Sequence, residues 1–288
     1  MHADSLHRFI LEGAGVRGEL VQLQASWQAV LARHPYPVPV QRPLGEALAA
    51  VLLLAATLKF EGSLILQVQG DGPLRSIVAQ ATHRRTVRGL ARWEGEVPAG
   101  ALTDQVGSGL LVMTIDPAQG ERYQGVVPVT GAHLGAAVEG WFANSEQLPT
   151  RLWFAVDAER VAGLLLQRIP AAVADADDWH RTTLLAGTVG ARELLELPVA
   201  NLLRRLFHEE DVRLFEPEPV AFRCGCSRGR IAATLRALGR GEIEAIIASE
   251  GAVAVTCEFC NRDYRFDAVD ARELFADAVP SSGPATRH

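Results

Sequence analysis

From Leu64 onward, apolar and polar residues alternate in short runs separated by Gly, Pro and Asp: Leu64–Gln69, Leu74–Ala81, Leu110–Ile115, Tyr123–Val129 and Arg151–Val156. Alternation at period two turns one face of an extended chain toward a core, so these runs predict β-strands. Two segments follow helical spacing instead, Leu44–Lys59 and Ala132–Phe142. The first holds the longest nearly unbroken apolar stretch, Ala47–Leu58, whose 12 residues predict a buried helix. A bilayer span needs about 20, so no membrane partner is expected. Strands mixed with helices predict an α+β domain over residues 1–170.

Near residue 171 the pattern changes to an acidic stretch, Ala-Ala-Val-Ala-Asp-Ala-Asp-Asp, and then turns helical to about Asp211. Residues 171–221 therefore predict a helical linker. Pro198 suits a first helical turn, after which Val199, Leu202, Leu203, Leu206 and Phe207 fall on one face. That face either packs permanently on the preceding domain or forms a detachable lid. From Phe222 a Cys-Gly-Cys turn precedes two short helical stretches, a hairpin-like run from Val255 to Phe266 and a final helix from about Ala268. Residues 222–288 predict a small separate domain whose tail after Pro280 is disordered.

Composition narrows the functions open to such a chain. Apolar residues make up 48% and charged residues 22% of 288, which excludes wholesale disorder. The net charge of −6 is spread so that no region has a basic excess: 14 basic against 15 acidic residues in 1–170, 5 against 10 in 171–220, and 9 against 9 in 221–288. Nucleic acid is not an expected partner. Met1–Ile10 lacks the apolar run of a signal peptide, so the expected compartment is the cytoplasm. The single lysine lies in Leu58-Lys59-Phe60, outside any Gly-rich phosphate loop, which excludes ATP hydrolysis of the Walker type. His83, Arg84, Arg85, Arg88 and Arg92 beside Trp93 read as a solvated strand face, and Gly70-Asp71-Gly72-Pro73 as a turn. Ser145, Glu146 and His133 have no Gly-x-Ser-x-Gly elbow to make an esterase.

All four cysteines lie within 37 residues, as Cys224-Gly225-Cys226 and Cys257-Glu258-Phe259-Cys260. Thiolates at these spacings converge on one tetrahedral Zn²⁺, and no histidine near either pair competes for a place, so Cys224, Cys226, Cys257 and Cys260 are the expected ligands. Gly225 is expected to permit the sharp turn in the first pair, and Asn261 to take the left-handed conformation after the second. Four readings remain open on these residues alone. They are a structural zinc staple for a small domain, an iron–sulfur cluster, a thiol oxidoreductase and static disulfides.

The order Cys-x-Cys-Ser-Arg, about 30 residues, Cys-x-Phe-Cys and then Tyr-x-Phe resembles the redox-regulated 33-kilodalton heat-shock chaperone family. The resemblance runs through Val16-Arg17-Gly18-Glu19, Leu44-Gly45-Glu46, Thr57-Leu58-Lys59-Phe60 and Leu66-Gln67-Val68-Gln69-Gly70. Tyr123-Gln124-Gly125-Val126-Val127, Ser145–Thr150, Leu166–Pro170 and Leu206-Phe207-His208-Glu209-Glu210 continue it in order. It departs at Gly229, where the family commonly has an acidic residue, at Asn261, in place of a common Gly, and at Ala162, within a usual Gly pair. The resemblance implies a non-enzymatic, ATP-independent holdase that binds unfolding client proteins under oxidative stress. It also implies one Zn²⁺ per reduced chain, disulfides Cys224–Cys226 and Cys257–Cys260 on oxidation, and a homodimer when active. The competing class is a zinc-ribbon adaptor that binds nucleic acid or a protein partner through a permanently closed metal site.

Overall fold

The computed structural model describes residues 4–57, 61–170 and 176–276. Lys59, the first part of the acidic stretch (171–175) and the tail after Pro280 lie outside the described residues. The chain forms two compact units, Met1–Arg223 and Cys224–His288.

The first unit opens with strands β1 (Ser5–Leu11) and β2 (Val16–Leu23), then helices α1 (Ala25–Leu31) and α2 (Val38–Thr57). Strands β3 (Gly62–Gln69), β4 (Leu74–Thr82) and β5 (Thr86–Trp93) follow, then α3 (Leu102–Val106), β6 (Leu110–Pro117) and β7 (Tyr123–Pro128). Helix α4 (Leu134–Trp141) leads through one π turn to β8 (Thr150–Val156) and β9 (Val161–Arg168). Helices α5 (Ala176–Ala186), α6 (Ala191–Glu196) and α7 (Val199–Leu206) come next, and the unit closes with β10 (Val212–Leu214), β11 (Glu218–Pro219) and β12 (Ala221–Phe222).

The strands make two sheets. One runs in the order β10-β1-β2-β9-β8, with β11 also pairing β1, and the other β12-β5-β4-β3-β6-β7. Helix α2 packs on both and is buried from Pro43 to Ala55. It is long and apolar enough to cross a bilayer, but its burial marks it as the core helix of this fold. The helix starts six residues before the expected Leu44, because Pro43 falls within its first two turns rather than ahead of it.

All five strands predicted from alternation are present, and the structure adds β5, the short β10, β11 and β12, and β1, β2 and β9. The last two are central in their sheet and nearly wholly buried, with α2 against one face and the 176–207 helices against the other. A strand covered on both faces reads as a continuous apolar run, such as Val-Ala-Gly-Leu-Leu-Leu, and loses the period of two.

The linker face packs as a layer of the first unit. Val199, Leu202, Leu203, Leu206 and Phe207 are buried against Phe9, Leu11, Leu20, Leu164 and Leu166. Each such side chain contributes roughly 1.5–3 kcal/mol when removed from water. Pro198 caps α7 rather than entering it. Beyond Asp211 the segment is extended, since Pro217 and Pro219 bar a helix, and it returns to the sheets through β10, β11 and β12.

The basic cluster on β5 is partly consumed by structure. Arg85, in the left-handed region at φ 57°, pairs with Glu218 at 2.8 Å, Arg88 donates to Gln80 Oε1 at 2.8 Å, and Arg84 and Arg92 face solvent. His133 caps α4, its Nδ1 accepting from the Ala136 amide.

Glu19 on β2 is a buried acid whose charge is opposed by its burial. Burial pushes its carboxyl up to about 7 against the pull of Arg17, Arg8 and Arg85, and its Oε2 has no hydrogen-bond partner among the described residues. A carboxyl raised from 4.5 holds its proton longer in the folded chain, so stability is lost as pH rises from about 4.5 to about 7. The loss is on the order of 3 kcal/mol. All five tryptophans precede Cys224, so their fluorescence reports the first unit alone. Glu19→Gln is expected to melt at the same midpoint as the parent at pH 5 and several degrees above it at pH 8. Parallel curves at both values would refute the assignment.

Candidate metal centre

The second unit is built from α8 (Arg228–Leu238), α9 (Arg240–Glu250), the hairpin β13 (Val253–Thr256) and β14 (Asp263–Phe266), and α10 (Ala268–Ala276). Ser227 caps α8, its hydroxyl accepting from the Arg230 amide. No acidic residue stands in the first turn of α8, so the helix dipole is without that favourable charge. The apolar core is small: Ala232, Leu235, Ile243, Val253, Tyr264, Phe266, Ala271 and Leu274, closed at one end by Cys257. Arg228 crosses this end of the unit. Its Nη1 donates to the Arg265 carbonyl at 2.8 Å, its Nη2 meets Asp270 Oδ1 at 2.7 Å, and its guanidinium lies 4.3 Å from the Phe266 ring centre.

The hairpin aligns Val253 with Phe266 and Thr256 with Asp263, which leaves Cys257–Arg262 as the loop. The Cys257 amide donates to the Arg262 carbonyl at 2.9 Å, and the Cys257 carbonyl accepts from the Cys260 and Asn261 amides at 3.2 and 2.7 Å. These bonds fold the chain back on itself and turn both thiols to one side. Asn261 sits at φ 55°, the left-handed conformation anticipated for it and the reason a glycine also suits that position.

Gly225 acts differently from expectation. Its φ is outside the left-handed region, so the turn itself does not demand glycine. A Cβ there would come within 2.8 Å of Arg230 Nη1, which donates to the Gly225 carbonyl at 2.9 Å. The atom met is the far end of an exposed, flexible arginine that can shift aside, so the contact places Arg230 against the first cysteine pair without demanding glycine at 225.

The four sulfurs converge. Cys224 Sγ lies 3.6 Å from Cys257 Sγ, Cys226 Sγ lies 3.4 Å from Cys260 Sγ, and all four are within 4.8 Å of one another. A tetrahedron with metal–sulfur bonds of about 2.3 Å has edges of about 3.8 Å, so the spacing fits a Cys₄ site. A tetrahedral all-sulfur donor set of this shape suits a soft or borderline-soft metal, Zn²⁺ or iron.

Electrostatics separate the thiols. Burial pushes Cys226 up, but hydrogen bonds from Tyr264 and the other three sulfurs outweigh it and bring the thiol down to about 7. Burial pushes Cys257 up, and Cys260 up to about 12. Sulfurs this close titrate as a set, so in the absence of metal their protons leave in steps that belong to the cluster rather than to any one thiol.

The residue that reading the cysteine spacing missed is Tyr264, whose hydroxyl donates to Cys226 Sγ at 3.1 Å. Its signal was the Tyr-x-Phe after the last cysteine: at period two, Tyr264 and Phe266 share the inner face of β14. Outer-shell donors of this kind commonly account for about 10-fold or more in metal affinity. Tyr264→Phe is expected to lose zinc to a chromogenic chelator roughly 10-fold faster with an unchanged circular dichroism spectrum; an unchanged rate would assign Tyr264 to the core alone.

Comparison with known proteins covers the whole chain. The family model described as "Hsp33 protein" matches residues 4–267. A 33 kDa chaperonin of Nitrosococcus oceani is 56% identical over 285 residues, 99% of either chain. A 33 kDa chaperonin of Pseudomonas paraeruginosa is 46% identical over 295 residues, 100% of this chain and 99% of its own. Among solved structures, the 33 kDa chaperonin of Thermotoga maritima shares the fold at a TM-score of 0.83 and 23% identity, covering 96% of this chain and 99% of that one. With identity well above what chance gives over full length, and with that fold, this chain belongs to the Hsp33 chaperone family.

Proposed function

We propose that this chaperone is a redox-regulated, ATP-independent holdase of the cytoplasm, silent while its four thiolates hold one Zn²⁺ and active once they are oxidised. The observation that carries the reading is the convergence of four sulfurs at the end of a unit whose apolar core is too small to be secure alone. Bound by Cys224, Cys226, Cys257 and Cys260, Zn²⁺ would supply a tetrahedral cross-link worth on the order of 10–16 kcal/mol, more than the stability of a typical domain.

Peroxide transfers an oxygen atom to one thiolate, giving a sulfenic acid, and the neighbouring thiolate displaces it as water to form a disulfide. Each disulfide consumes two thiols and one peroxide and yields two waters. The family resemblance gives the pairing Cys224–Cys226 and Cys257–Cys260. Both ligand pairs are then spent and the second unit unfolds.

Residues 171–221 are covalently joined to that unit and serve as the linker between residues 1–170, the chaperone core, and 222–288, the switch. Their release uncovers Phe9, Leu11, Leu164 and Leu166 together with the α7 face, an apolar surface suited to unfolding clients. Two active chains then pair.

The test is light scattering from a thermally unfolding enzyme without ATP. Peroxide-treated protein is expected to suppress aggregation at near-equimolar ratio, and reduced zinc-loaded protein to leave it unchanged. Equal protection in both states would contradict the redox switch, and salt-sensitive binding of nucleic acid by reduced protein would favour the adaptor.

A further inference from the structure

The sheet that ends in β7 has an open edge. One step beyond the β6–β7 ladder, the Val129 amide donates to the Gly109 carbonyl at 2.8 Å. Antiparallel pairs alternate between bonded and non-bonded, so Val127, Gly125 and Tyr123 exchange hydrogen bonds with β6. The N–H and C=O of Gln124 and Val126 therefore point away from it. The other side of β6 agrees: the Ala118 amide donates to the Glu61 carbonyl at 2.8 Å, which turns even-numbered residues of β6 toward β3 and odd-numbered ones toward β7.

No described strand pairs with β7 on its far side. Protein sheets commonly blunt such an edge with charge, a bulge or a cover. β7, Tyr-Gln-Gly-Val-Val-Pro, carries a protective proline only at its last residue, Pro128; from Tyr123 to Val127 it has no charged residue and an unbroken register, and Tyr123 and Val126 are 48% and 53% exposed. Beside the edge, on the inner face of the sheet, lies a cavity of about 340 Å³ walled by Met113, Ile115, Tyr123, Trp141, Phe142 and Leu148. Gly125 belongs to this arrangement: a Cβ there would stand 2.5 Å from Trp141 Nε1, so only glycine lets the indole rest on the strand.

We propose that the β7 edge accepts an extended segment of an unfolding polypeptide as an added antiparallel strand, with an inner-face side chain of that segment entering the Trp141–Phe142 cavity. The inference rests on the chaperone reading and adds a contact surface to it, away from the α7 face. Recognition through backbone hydrogen bonds asks for no particular sequence, which suits clients that share none, and a pocket for alternate side chains adds affinity for apolar ones. A second copy of this chain fits less well. Pairing its outward residues Gln124 and Val126 with those here sets Gly125 against Gly125 and Val127 against Tyr123, so the copy offers the cavity that Tyr123 walls nothing larger than a valine.

The test uses oxidised full-length protein and a fluorescein-labelled octapeptide of Val, Thr and Phe, with a counterpart N-methylated at alternate residues, read by anisotropy. Val126→Pro removes an outward N–H and no ladder bond, a position where edge strands tolerate proline. Val126→Lys charges the edge and keeps the backbone intact. Wild type is expected to bind the plain peptide at least 10-fold more tightly than the methylated one, and both variants to lose most of that difference while keeping zinc content and melting midpoint in the reduced state. Equal binding of the two peptides, or variants that bind like wild type, would overturn the proposal. So would a variant that changes only the sedimentation of the protein, which would assign the edge to self-association. Failure of oxidised wild type to protect a client would instead count against the holdase reading, and the peptide comparison would still decide the edge.

Discussion

With Cys224, Cys226, Cys257 and Cys260 all replaced by serine, the chain is expected to contain no zinc, to lose the helical signal of its second unit, and to protect a heat-unfolding client without any oxidant. Serine hydroxyls do not replace thiolates as zinc ligands, so the cross-link is gone in every redox state. What remains to hold residues 224–276 is a core of about eight buried apolar side chains, of which Phe266 and Ile243 are the most buried. A unit of this size without its metal is marginal at best. The expected change is a loss of the α8, α9 and α10 contribution to far-ultraviolet circular dichroism, with the tryptophan signal of the first unit retained. A variant that keeps the helical content of α8–α10 and stays inactive would show that the metal neither folds the unit nor gates the activity.

The second large effect is expected from Leu203→Asp, in the middle of the α7 face. Leu203 is 2% exposed and packed among Phe207, Leu206 and the sheet residues Phe9 and Leu164. The substitution loses roughly 1.5–3 kcal/mol of apolar burial and places a carboxylate where it has no partner, a further cost of several kcal/mol. Undocking of the linker relieves both. The reduced protein should therefore hold clients constitutively with one zinc per chain still bound, separating linker release from metal loss. Trp179 on α5, which packs at the margin of the same cluster, reports the undocking as a red shift in emission. A zinc-loaded variant with shifted emission and no client protection would place the client surface elsewhere.

These two experiments address steps that differed in how plainly the sequence announced them. The convergence of the four sulfurs was readable from spacing, because two close cysteine pairs are a local constraint. Two close pairs and an Asn in the left-handed position survive whatever fold surrounds them. Tyr264 was not read from spacing, since its role depends on the hairpin register that brings its hydroxyl over Cys226. The backbone requirement that spacing suggested at Gly225 is absent, since its φ lies outside the left-handed region and the one close side chain is the movable tip of Arg230.

In the first unit, strands such as β4, with its pattern of buried and half-buried positions, were legible because one face meets water, although β1 alternates similarly and was not read. The central strands β2 and β9 were illegible for the opposite reason, being covered on both faces by α2 and the linker helices. The amphipathic α7 was recognised as a face that must pack somewhere, but its partner sheet contains those two strands, so neither half of the contact could be inferred from the other. The extended return of residues 212–222 to both sheets had only its prolines to signal it.

The central claim is that four sulfurs share one metal whose departure melts the second unit. Its most direct test follows zinc with a chromogenic chelator and helical content by circular dichroism in the same sample during peroxide treatment at mildly raised temperature. One equivalent of zinc per chain, released with the same time course as the loss of the α8–α10 signal, is the expected result. Reduced protein with no stoichiometric zinc, or zinc that leaves while the helical signal stays unchanged, would contradict the account.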